Sequence, residues 1–189
     1  MSAEPHPRMS VAEYLAFERR QVETKNEFLD GELLAMTGAS RKHVLLVGNM
    51  LTALNPQLRD RGCEVYTNDM RVRIPATNSY LYPDVAIACD PRFEDAEVDT
   101  LLNPKVIVEV RSPSTEAYDR GIKFAHYRTL ESLTEILLIA QDRVHVEHFA
   151  RQASDRWLLV EIDDLGRVLD LPSVGARLPL REVYDRVLS

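Results

Sequence analysis

Two successive apolar runs, each carrying a single carboxylate, constrain this chain more than any other feature. The first contains Tyr82-Pro83-Asp84-Val85 and the second reads Lys105-Val-Ile-Val-Glu109-Val110. Near-continuous apolar runs of this kind are what central strands covered on both faces require. Pro83 fixes φ and lacks an N–H, so a strand starts or bends at Asp84. Glu109 stands between two valines and points to the opposite face from them in a regular strand. If the two strands are neighbours, Asp84 and Glu109 meet at one spot on a sheet. A lone carboxylate in so apolar a strand is costly to bury, and a metal or a basic partner offsets that cost. Paired carboxylates on a rigid sheet suit a hard divalent cation such as Mg²⁺.

The flanking sequence supplies helices. Ser10 with Glu13 three residues on forms a capping box for a short helix over 10–20. Asp30-Gly31 predicts a hairpin between short strands within 26–36. Apolar residues from His43-Val44 to Leu58 recur at helical spacing, predicting a long helix over about 40–60 that Pro56 kinks or ends early. Residues 63–74 alternate as a strand with a bulge or break at Asn68-Asp69. Residues 80–89 and 105–110 follow as central strands. Residues 114–130 read as a helix with Ile122, Ala125 and Thr129 on one side. Short strands at 136–140, 144–149 and 157–162 and a small helix at 180–188 complete the pattern. With no repeat or linker, this predicts a single domain over residues 1–189, an α/β (α+β) fold with a mixed sheet and flanking helices.

Charge and cysteine content bound the function. The chain holds 189 residues with a net charge of −7, which counts against casual nucleic-acid binding. Residues 41–73 carry six basic and three acidic side chains, a balance of +3, and residues 90–101 carry one and five, a balance of −4. A basic face is therefore compatible with the acidic total. No run is long and apolar enough for a membrane span, and the N-terminus has no secretory pattern. Cys63 and Cys89 lie in strand-like runs without metal-ligand spacing, and are expected as buried thiols in a reducing cytoplasm, with no disulfide.

Lys123, on the helix after the Glu109 strand, is the candidate to neutralise charge at a reacting phosphate. Asp119 and Lys123 at i,i+4 also fit an ordinary surface ion pair, worth roughly 0.3–0.5 kcal/mol. Gly121 between them costs about 1 kcal/mol in a helix interior, which suggests a close backbone approach. Asp69, Glu27, Glu32 and His43 are further polar residues near the predicted elements. A lone His on an apolar stripe is more often a satisfied core residue than a ligand, and His43 is left off the site. Arg71 and Arg73 share a strand face and suit either a phosphate backbone or a solvated edge.

The ordered series Tyr82-Pro-Asp84-Val, Val108-Glu109-Val, Ser112-Pro-Ser-Thr115, Asp119-Arg-Gly-Ile-Lys123 and Tyr127-Arg resembles the Uma2 family. The likeness includes the Phe28-Leu-Asp-Gly-Glu32-Leu hairpin and His43. It implies a restriction-endonuclease-like fold of the PD-(D/E)xK nuclease superfamily, with Asp84 and Glu109 as ligands of Mg²⁺ or Mn²⁺ and a lysine that has migrated to the helix, matched by Lys123. The implied activity is metal-dependent cleavage of nucleic acid, DNA foremost, by a cytoplasmic protein that could act as a homodimer. The strand-borne lysine of the wider superfamily would fall at Arg111, which stays protonated and is a poor general base. The strand family pattern also departs at Leu138-Ile-Ala-Gln141-Asp142. A catalytically inactive nucleic-acid-binding or protein-interaction module on the same fold is the alternative. A hydrolase of small phosphate esters ranks last, because no Gly-rich loop is present to cradle phosphate.

Overall fold

Residues 8–36, 38–97, 99–112, 116–153 and 156–188 are described by the computed structural model. The start of the predicted helix at Ser114 and the Pro113–Thr115 portion of the motif lie outside the described residues, as does the N-terminal stretch before Arg8. The central layer is a six-stranded mixed sheet built from β3 (Cys63–Thr67), β6 (Val85–Cys89), β8 (Val106–Arg111), β9 (Glu135–Ala140), β10 (Val146–Arg151) and β11 (Trp157–Ile162), in the order β11-β10-β9-β8-β6-β3. Only β8 and β9 run parallel within it.

A second sheet of five strands contains β1 (Asn26–Leu29), β2 (Glu32–Ala35), β4 (Arg71–Ile74), β5 (Ser79–Leu81) and the short β7 (Thr100–Leu101). The predicted Asp30-Gly31 turn is present, with φ of 44° and 99° at the two central residues. The stretch 63–89 reads in sequence as two strands, yet it crosses between sheets twice. The break at Asn68-Asp69 sends β4 into the second sheet, and Tyr82-Pro83-Asp84 sends β6 back. The missing N–H of Pro83 makes this point unsuited to a continuous ladder.

Each face of the six-stranded sheet has its own core. On one side α2 (Arg41–Leu58) lays Leu46, Met50, Leu54 and Leu58 on Val85, Ile87, Val106 and Val108, together with the hairpin β12 (Val168–Leu171) and β13 (Ala176–Pro179) and a terminal helical turn (Leu180–Val183). Pro56 does not shorten α2, which runs on to Leu58. Inside the helix, Pro56 lacks the N–H that would bond the Thr52 carbonyl. On the other side Ala86, Ile107, Ile136 and Leu138 meet Leu81, Leu101, Tyr127 and Leu130. A short α1 (Val11–Glu18), capped by the Ser10–Glu13 box, adds Tyr14 to a small cluster with Phe28 and Tyr80. Among the described residues no helix is long and apolar enough to cross a membrane.

The cysteines correct the sequence expectation, because Cys63 and Cys89 form a disulfide. The antiparallel register of β3 and β6 sets them directly opposite, with Cα atoms 3.9 Å apart. Residues 26 apart in sequence carried no sign of this pairing, which the strand register alone creates. The argument from free thiols to a reducing compartment falls with it. Closing a loop of this length restricts the unfolded chain, so a Cys63→Ser/Cys89→Ser variant should lose roughly 2–4 kcal/mol in a urea denaturation experiment.

The charge pattern is also partly internal. Arg71 is buried and pairs with Asp99 at 2.5 Å, Arg73 pairs with Glu94, and Arg19 holds Asp95 and Asp99. The acidic 90–101 stretch thus neutralises arginines that sequence left available for a phosphate backbone.

Candidate functional site

The site lies where β6, β8 and the second sheet meet. Val85 is paired with Val108, and one step further along the same register sets Asp84 beside Glu109. Asp84 is fixed twice: Val110 N–H donates to Oδ2 at 2.6 Å, and His43 Nε2 lies 3.1 Å from Oδ1. His43 comes from the first turn of α2, on the opposite face of the sheet, and reaches the strand end from there. The structure therefore promotes a residue that the sequence reading set aside.

Glu109 is 2% exposed and receives Tyr127 O–H at 2.7 Å and Lys123 Nζ at 3.2 Å on the same oxygen. Lys123 is 6% exposed, and its ammonium also contacts Glu27 at 2.9 Å, with Asp119 at 3.9 Å. The surface ion pair considered for Asp119 and Lys123 is instead a buried one. The predicted helix differs in its register too. It runs through Glu116–Tyr118 (α3), a π-helical turn at Asp119–Lys123 and Phe124–Tyr127 (α4). The wider π turn aligns Asp119, Lys123 and Tyr127 on the inward side and leaves Ile122 half exposed, so the expected apolar side at Ile122, Ala125 and Thr129 faces outward. π turns of this sort are frequent at functional sites. Gly121 is open, with nothing within 4 Å of a Cβ placed there, so no close backbone approach accounts for it.

Glu27, which the sequence offered only as one further polar residue beside Asp69 and Glu32, stands inside the cluster. It sits on β1 of the second sheet and is 3% exposed. Its Oε1 accepts Tyr82 N–H at 3.0 Å beside the Lys123 contact, and its Oε2 accepts Tyr118 O–H at 2.8 Å. A carboxylate immediately before a hairpin has no local signature of burial. The one usable signal was its place at the edge of Phe28-Leu29, in register for an inward position.

The electrostatics follow from the count. Glu27, Asp84, Glu109 and Asp119 are all buried against one ammonium and one imidazole. Burial pushes the Glu109 carboxyl well above its ordinary range, and the neighbouring Asp84, Asp119 and Glu27 add to this against the pull of Lys123. Burial by itself would depress Lys123, but Glu109, Glu27 and Asp119 outweigh it and hold the ammonium charged. His43 shifts up in the same way, since Asp84 outweighs desolvation. Tyr127 stays a protonated donor because burial, then Glu109, oppose its ionisation. The cluster thus has an excess of buried carboxylate oxygen, the donor type that hard divalent cations take. If the cluster takes a divalent cation through Asp84, a His43→Ala variant should weaken Mn²⁺ binding by about ten- to hundredfold in calorimetry, the usual cost of losing a group that orients a ligand.

Other candidates stand apart. Asp69 is exposed and pairs with Lys25, and Glu32 is exposed on β2. Arg111 is 3% exposed and tied down at 2.9 Å by both Glu116 and Glu147. Among the described residues a second group, His145, Glu147 and Glu161, brings three ligand atoms within 4.8 Å of one another. Its Glu147 is already held by Arg111 and Arg120, whose positive charges oppose a metal ion there.

Comparison with known proteins agrees with this architecture. A Synechocystis sp. (strain ATCC 27184 / PCC 6803 / Kazusa) protein, slr1290, is 35% identical over 180 residues, covering 95% of this chain and 93% of its own. A second from the same organism, sll1609, is 40% identical over 155 residues, covering 82% and 87%; both are described as uncharacterized. The crystal structure of "a putative nuclease belonging to DUF820" from Anabaena variabilis ATCC 29413 superposes with a TM-score of 0.78 at 15% identity, over 95% of this chain and 99% of that one. At that identity the match speaks for the fold, which is a restriction-endonuclease-like core. Residues 11–181 match the Uma2 family, whose description reads "Putative restriction endonuclease". This chain belongs to the Uma2 family.

Proposed function

We propose that this protein is a metal-dependent endonuclease that hydrolyses phosphodiester bonds in nucleic acid, DNA foremost, with residues 1–189 acting as one domain. The observation that carries the reading is the convergence of Asp84, Glu109 and Lys123, from three separate elements, into one buried cluster with carboxylates in excess. Asp84 and Glu109 would hold Mg²⁺ or Mn²⁺, with Glu27 beside them. Such an ion supplies Lewis-acid stabilisation of an attacked phosphate and a more acidic water. The chain's own groups do the rest. Val110 N–H and His43 orient Asp84, and Tyr127 O–H orients Glu109. Lys123, kept charged by its neighbours, stabilises the negative charge that develops on the phosphate oxygens.

A second reading, a nuclease fold kept as a binding module, has one observation in its favour. Arg111 takes the place of the superfamily's strand lysine, and its guanidinium is committed to Glu116 and Glu147. Calorimetric titration of Mn²⁺ into wild type and an Asp84→Ala/Glu109→Ala variant, with nicking of supercoiled plasmid in parallel, separates the two. The endonuclease reading expects binding and nicking in wild type and neither in the variant. Wild type that binds no Mn²⁺ supports the binding module, and undiminished nicking by the variant refutes the assigned centre.

A further inference from the structure

The outer edge of the six-stranded sheet is unusually apolar. Strand β11 ends the sheet, and Leu158, Leu159 and Val160 are 53%, 44% and 42% exposed. Among the described residues nothing pairs with its outer edge. Natural sheets blunt such edges with charge, proline or a bulge, because free N–H and C=O groups template further pairing. The strand's one charge, Glu161, lies beyond the Trp157–Val160 stretch, which carries none of these devices.

We propose that β11 pairs with β11 of a second copy of this chain, in a two-fold antiparallel arrangement centred on Val160. The register follows from main-chain geometry. Gln152 N–H donates to Arg156 C=O at 2.7 Å, so the main-chain groups of Arg156 face β10. Main-chain groups alternate sides along a strand, so those of Trp157, Leu159 and Glu161 face outward. An antiparallel ladder must set outward residues opposite outward residues. A two-fold centred on Leu159 or on Val160 satisfies this. Centring on Leu159 places Arg156 opposite apolar Ile162 and leaves its charge unmatched, whereas centring on Val160 pairs that charge and sets Glu161 opposite Leu159 on the other face.

Centring on Val160 places Arg156 opposite Asp164, Leu158 opposite Ile162, and Val160 opposite itself. Leu158, Val160 and Ile162 share one face of the strand, so they form an apolar ladder closed at both ends by opposite charges. Arg156 and Asp164 are both exposed; Asp164 Oδ1 accepts Gly166 N–H at 2.8 Å, which leaves Oδ2 for that pairing. The contact is self-complementary, as a two-fold interface requires, and main-chain hydrogen bonds supply affinity that a single strand's area would not. The edge lies three strands from β8, so it leaves the Glu109 cluster untouched.

Sedimentation velocity of the full chain over a concentration series tests this. Wild type is expected to be dimeric, and Val160→Lys, which sets two ammonium groups opposite each other on the axis, should weaken the dimer by at least about tenfold. Because Val160 is exposed, its melting temperature should stay within a degree or so of wild type when both are compared at a concentration low enough for wild type to be monomeric. Arg156→Asp and Asp164→Arg should each weaken the dimer, and the double exchange should restore it. Wild type that stays monomeric overturns the proposal, as does a Val160→Lys protein that dimerises as tightly as wild type. Single charge variants whose combination fails to recover overturn the register.

Discussion

A Glu109→Gln variant is expected to lose nicking by at least about a thousandfold, a barrier increase of ~4 kcal/mol, while melting no lower than wild type in metal-free buffer. The amide keeps the shape of the carboxyl and can still accept Tyr127 O–H, so packing is preserved. What it removes is a charge buried at 2% exposure among Glu27, Asp84 and Asp119. The Glu109 carboxyl is shifted well above its ordinary range. A carboxyl raised in the folded state contributes stability that is complete below its unfolded pKa and lost as pH rises through its folded pKa. Near neutral pH its ionisation therefore opposes folding, and the amide relieves that opposition. Thermal melting at several pH values in the presence of chelator, beside plasmid nicking with Mn²⁺, reads both effects. A variant that melts well below wild type would assign Glu109 a structural role, and one that nicks normally would remove it from the centre.

Lys123→Met should show the reverse pattern, a loss of about 3–5 kcal/mol in metal-free buffer. Removing one partner from a buried charge cluster leaves the others uncompensated, and this commonly costs that amount. Here Glu27 and Glu109 lose the ammonium at 2.9 and 3.2 Å, with no solvent to replace it. Methionine fills similar volume, which isolates the charge from the packing. Saturating Mn²⁺ should recover part of the loss, because a ligand that binds only the folded state stabilises it by mass action. Nicking should stay low even then, since the fixed positive charge beside the phosphate is gone. Denaturant melts with chelator and with Mn²⁺ check this. A Lys123→Met protein as stable as wild type under both conditions would contradict the charge-balance account of the cluster.

Both expectations rest on residues legible from sequence, and that legibility had a local cause. Asp84 beside Pro83 and Glu109 between two valines violate the apolar pattern of their own strands, so each advertised itself within a few residues. The long helix over α2, the Ser10 capping box and the Asp30-Gly31 turn were likewise visible, because caps, turns and periodicity act over one or two turns of chain. Glu27 violated nothing in its neighbourhood. Its burial comes from β1 lying beside the Tyr82–Asp84 crossing, where Tyr82 N–H binds it. His43 looked like a core histidine because it belongs to a helix on the far face of the sheet.

The amino-acid sequence by itself determined the main helix, the central apolar strands and the carboxylate carried by each of two of them, since hydrophobic period and backbone chemistry are properties of short segments. That β6 and β8 are neighbours, so that Asp84 meets Glu109, came from the strand register. Tertiary structure alone decided three further things. It sent the 63–89 stretch across two sheets, it turned Asp119 and Lys123 inward through a π turn, and it set Cys63 opposite Cys89. Each depends on which distant segments pack together, and the free energy of that packing is spread over the whole core rather than written at any one position.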